Sequence, residues 1–148
     1  HRGTRSTPTP YIEPTATPLP SDLLTNAATQ LDTASSLEVT VTTDPENIAV
    51  ASEADISANV SGLSDIISNL TDVGYASNTW INNVSYKGFS GSYTVKKLDA
   101  LVPGAVDGNV IKVSAWVSEE GVLRRVRLEG ALTNDDSDSA TRTFDISK

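Results

Sequence analysis

Apolar and polar residues alternate through much of the second half of the chain, and this alternation narrows the fold more than any other feature. Ile111, Val113, Ala115 and Val117 share one face of a strand. A period of two is the side-chain period of a strand with one face buried. Val122–Leu132 and Ala140–Ser147 read as two further strands. Asp107-Gly108 and Glu119-Glu120-Gly121 are turns, and Asn82-Asn83 is a hairpin tip between Tyr75–Ile81 and Val84–Val95. Strands that succeed one another through short turns pair antiparallel.

Helical spacing appears elsewhere. Ser21-Asp22 open a helix after Pro20, with Leu23, Leu24, Ala27, Ala28 and Leu31 following and an end near 34–36. Leu63, Ile66, Ile67 and Leu70 form an apolar stripe on a second helix that opens at Ser61-Gly62. Lys96–Val102 predicts a third, short helix, stopped by Pro103-Gly104. Between the first two helices, Leu37, Val39 and Val41 predict a strand, and Asp44–Asn47 a turn. Ile48 and Val50 start a second short strand, and the alternation of Ala54, Ile56, Ala58 and Val60 predicts another. Helices segregated from sequential strands make the class α+β.

Composition removes most chemistry. The 148 residues include no Cys, and the single His is residue 1. Thiolate metal sites, disulfides, cysteine nucleophiles and histidine-based triads are therefore excluded from the fold, and no enzyme, cofactor or metal is expected. Nineteen acidic residues against eleven basic ones give a net charge of −8, which argues against a nucleic-acid partner. No apolar run reaches the ~20 residues that cross a bilayer. Residues 1–20, HRGTRSTPTPYIEPTATPLP, hold five of the seven prolines and read as a disordered or extended tether to a domain at 21–148. The start at His1 suggests a processed product.

Several residues invite a second reading. Asn134–Ser139 places three carboxylates in six residues. It lacks the Gly and Glu of a calcium loop, so a solvated hairpin loop is expected. Trp80, near the Asn82-Asn83 tip, is either a core residue or an exposed contact for a membrane interface or partner. Arg125 and Glu129 share a solvent-side strand face, whereas Arg124 points among Val122, Val126 and Leu128.

Segments 62–72 (GLSDIISNLTD), 96–105 (KKLDALVPGA), 115–117 (AWV), 121–132 (GVLRRVRLEGAL) and 141–147 (TRTFDIS) together resemble the LppX/LprA/LprF/LprG family of bacterial lipoproteins. The interval between the first helix and the Gly-Leu helix is shorter here than in that family. The resemblance implies a curved antiparallel sheet, a half-barrel, over two or three helices. It also implies an extracytoplasmic protein of the cell envelope or surface, anchored upstream to the membrane, that carries lipid or glycolipid without catalysis.

Acyl-chain carriage requires an apolar concavity, because burial supplies roughly 0.8 kcal/mol per CH₂. Lining candidates are Leu37, Val39, Val41, Ile56, Ala58, Ile66, Ile67, Leu70, Phe89, Tyr93, Leu98, Leu101 and Trp116, with Arg124 for a headgroup. The alternative is that these side chains fill the core of a structural or interaction module of the envelope, with no ligand and a protein partner.

Overall fold

The computed structural model describes residues 19–34 and 37–147. The proposed tether therefore lies, apart from Leu19 and Pro20, outside the described residues. Helix α1 spans Pro20–Thr33, one residue earlier than Ser21. Pro20 suits a first helical position, where its missing amide hydrogen has no intrahelical partner to lose. Leu24, Ala27, Ala28 and Leu31 form the buried stripe, at helical spacing.

Six strands make one antiparallel sheet: β1 (Glu38–Asp44), β2 (Thr71–Ile81), β3 (Val84–Thr94), β4 (Val110–Val117), β5 (Leu123–Glu129) and β6 (Thr141–Ser147). Their order is β1-β6-β5-β4-β3-β2, so consecutive strands are neighbours from β2 to β6 and β1 returns to the far edge. The sheet is curved and open, a half-barrel. Asn82 and Asn83 have φ of 51° and 66°, the left-handed pair that a two-residue hairpin turn needs. Helix α3 (Val60–Ser68) packs beside α1, and both lie on the concave face.

Three expectations are corrected between residues 48 and 102. Ile48 and Val50 form no strand and lie in a loop. The alternating 54–60 stretch is not a strand: Glu53–Ala58 is helix α2. The Ser52 hydroxyl accepts the Asp55 amide at 3.2 Å, a helix N-cap that overrides the period-two pattern. Ile56 is consequently buried, while Ala58 is exposed. Residues 96–102 form turns rather than a helix, because Lys97 takes a φ of 53° and its amide bonds the Asp107 carboxylate at 3.0 Å.

Helix α2 has a distinct job. It covers the free edge of β1, where the Ser57 hydroxyl accepts the Val39 amide at 3.0 Å and the Glu53 carboxylate accepts the Val41 amide at 2.9 Å. Those two amides face away from β6 and would otherwise offer a pairing edge.

Candidate functional site

The core lies between the concave sheet face and the helices. Val39, Phe89, Val113, Ala115, Val126, Leu128, Phe144 and Ile146 meet Leu24, Leu31, Ile56, Leu63, Ile66 and Ile67 in one buried cluster. Of the lining candidates, Val39, Ile56, Ile66, Ile67, Phe89 and Leu101 are at most 2% exposed and pack inside this cluster, which also holds Leu98 and Tyr93. Val41 and Leu70 are half-buried against it.

Leu37 and four of these core residues also border open grooves, at different places. Leu37 lines a groove of about 360 Å³ between the end of α1, the start of β3 and the β4–β5 turn. Phe89 lines a groove of about 270 Å³ with Leu23, Lys87 and Val117. Tyr93, Leu98 and Leu101 border a polar groove of about 480 Å³ beyond the opposite end of β3, with Asp65, Asn69, Lys96 and Lys97. Burial pushes the Tyr93 hydroxyl above its ordinary value, and the Asp65 and Asp107 carboxylates add to that shift. The candidates therefore do not share a single chamber.

Trp116 is corrected outright. It lies on the convex face of the sheet, opposite Gly88 and Arg125. Its Nε1 donates to the Ser77 carbonyl at 3.1 Å, and the Arg127 guanidinium covers its ring at 5.1 Å. Strand parity with Ile111, Val113, Ala115 and Val117 already assigns it to that face.

Arg124 is moved by a bulge. Trp116 pairs with Arg125 and Val117 with Leu123, so Arg124 is the extra residue. Leu123 takes the buried place, and Arg124 turns out to Asp145. Asp145 Oδ1 receives Arg124 Nη1 at 3.3 Å and Arg125 Nε at 2.6 Å. One carboxylate between two guanidiniums leaves an excess positive charge. Arg125, on the solvent-side face that it shares with Glu129, pairs with Asp145.

The 360 Å³ groove has the chemistry of a small amphiphile site. Leu31, Ala34, Leu37, Val84, Tyr86, Val122, Leu123 and Ile146 supply apolar walls, and Arg124 and Glu120 both stand on the lining. Gln30 Nε2 reaches the Glu120 carbonyl at 3.3 Å, fixing α1 to the β4–β5 turn beside the opening. Its volume is at the small end of the ~300–1,000 Å³ typical of ligand sites. Sequence reasoning found Leu37 and Arg124 but missed Val84, Tyr86, Val122 and Ile146. These come from the start of β3, the β4–β5 turn and the end of β6, which only sheet curvature brings together.

The acidic loop is also corrected. Asp136 is not solvated: its side chain is 2% exposed and paired with Arg142, which is fully buried. Arg142 Nε donates to the Ala49 carbonyl at 2.7 Å, and Asp136 Oδ2 accepts the Leu132 and Thr133 amides at 2.9 and 3.1 Å. The readable signal was Arg142 itself, in phase with Phe144 and Ile146. A cation on an apolar face demands a buried partner. No group of three His, Cys, Asp or Glu among the described residues is placed to hold a metal ion.

No family model matches the sequence, and no curated protein does. Solved structures do. The lipoprotein LppX of Mycobacterium tuberculosis superposes with a TM-score of 0.55 at 15% identity, over 85% of this chain and 93% of that one. LprF from Mycobacterium bovis gives 0.60 at 10% identity, over 86% and 91%. The fold is that of LppX and LprF. The LppX/LprF likeness extends well beyond 62–147, so it takes in α1 or the β1–α2 region as well as the later strands.

Proposed function

We propose that this LppX/LprF-like domain binds a single acyl chain of a lipid or glycolipid in the groove between α1, β3 and the β4–β5 turn. The carrying observation is the groove itself: apolar walls from three strand ends, with Arg124 among them. Chain burial drives binding, and Arg124 is the lining cation for a headgroup phosphate, with Glu120 on the same lining. The reading is non-catalytic. The domain would work outside the cytoplasm, tethered by residues 1–20 to a membrane anchor upstream. LppX, a lipoprotein, lends the fold-level analogy.

Native mass spectrometry of the protein with monomeric lysolipid tests this. The expected result is one bound lipid per chain, lost in Val122→Asp. Val122 lines the groove and is 43% exposed, so the variant keeps its fold. Retention of lipid by Val122→Asp would place the ligand elsewhere.

A second reading has its own support. The nominated core residues pack against one another, which suits an envelope interaction module without a ligand. An unchanged apo mass at saturating lysolipid would favour that reading.

A further inference from the structure

We propose that the β2–β3 hairpin seats the domain on a lipid surface of low charge, with the Trp80 indole at the interface. Trp80 is 72% exposed at the hairpin end, whereas Trp116 is 7% exposed and fully bonded. Val84, 48% exposed, follows the two-residue turn. An indole held in water is costly. At a bilayer interface its ring is buried and its N–H finds headgroup acceptors.

Charge selects the occupant. The run from Val73 to Tyr86 contains no Asp, Glu, Lys or Arg, in a chain that is 20% charged. A partner read through ion pairs finds nothing to grip there. An anionic bilayer repels a protein of net charge −8, so neutral headgroups leave apolar contact to drive association. The backbone suits shallow insertion. Ile81 pairs with Val84 and Trp80 with Ser85, so the tip carries few open amides into the interface.

Geometry adds a direction. Val84 on the tip and Val122 on the β4–β5 turn are both exposed, and both are walls of the 360 Å³ groove. A hairpin seated on a bilayer therefore turns the groove mouth towards the source of acyl chains. This alignment rests on the lipid-binding reading; the docking itself does not.

The test is flotation of the full chain with phosphatidylcholine vesicles, alongside tryptophan emission. The protein is expected to float and its emission to move to the blue, with Trp116 as a fixed buried background. Trp80→Ser should cut partitioning roughly tenfold and remove the shift. Trp80→Phe should keep most of the partitioning. No flotation of the wild type, or equal flotation of Trp80→Ser, overturns the proposal. So does Trp80-dependent self-association without vesicle binding, which would assign the hairpin to a second copy. Lysolipid uptake without flotation removes only the docking surface, and flotation without uptake removes only the groove.

Discussion

Arg142 and Asp136 meet as a two-bond fork inside the protein. Arg142 Nη1 lies 2.9 Å from Asp136 Oδ2, and Nη2 lies 3.2 Å from Oδ1. The fork ties β6 to the loop that precedes it, and through the Ala49 carbonyl to the segment after β1. Burial of an ion pair is tolerable here because the lone pairs and N–H groups are nearly all matched.

Removing one partner leaves a buried charge without its counter-ion. Asp136→Asn should destabilise the fold by about 3–5 kcal/mol, read as a lower urea midpoint at neutral pH. A loss under about 1 kcal/mol would mean that the fork contributes little.

The same pair makes stability depend on acid. Burial alone raises the Asp136 carboxyl, but the Arg142 guanidinium and the Leu132 and Thr133 amides outweigh it and hold the value at about 2, below the ordinary 3.8. The folded value is depressed, so its stabilisation is complete above the unfolded value and fades as pH falls from 3.8 towards about 2. The amount is about 2 kcal/mol. Urea titrations across this range should show the slope in the wild type and a reduced slope in Asp136→Asn.

Gly88 is the point where β2 folds closest over the convex face. A Cβ there would collide with the Ser77 carbonyl and press on Trp116 Nε1 at 3.1 Å. Gly88→Ala should cost about 1–3 kcal/mol and disturb the Trp116–Ser77 bond. A lowered melting temperature with altered Trp116 emission is the expected signature; an unchanged melt would show that the bulge at Ser77 yields freely.

The α2 cover on β1 predicts a different failure. Glu53→Ala with Ser57→Ala should lose roughly 0.5–1.5 kcal/mol per bond. It should also speed hydrogen exchange at the Val39 and Val41 amides. With the edge bare, sedimentation velocity should detect concentration-dependent association. Unchanged exchange at those two amides would show that another group protects them.

Much of the sheet was legible because residues 110–117 and 141–147 keep strict parity, and parity needs only one buried face. Parity failed where a local device intervened. The Ser52 cap turned 53–58 into a helix, and the bulge at Arg124 exchanged its place with Leu123. The groove was less legible. Leu37, Val84, Val122 and Ile146 lie far apart in the chain, and their meeting depends on curvature and on where α1 rests. The Arg142–Asp136 pair went unread: Asp136 was placed in a solvated loop, and Arg142, in phase with Phe144 and Ile146, was the signal passed over.

The pairing of β1 with β6 also sets an order of events during synthesis. Residues 38–44 leave the ribosome long before 141–147 exist, and β1 has no other strand beside it. Until the last strand emerges, one edge of β1 is covered only by α2 and the other stays empty. The strands from β2 to β5 can zip in sequence, but the sheet gains its final member only once residues 141–147 have emerged. The domain therefore stays incomplete until its last strand is available, and folding closes in a late step governed by a contact about a hundred residues long.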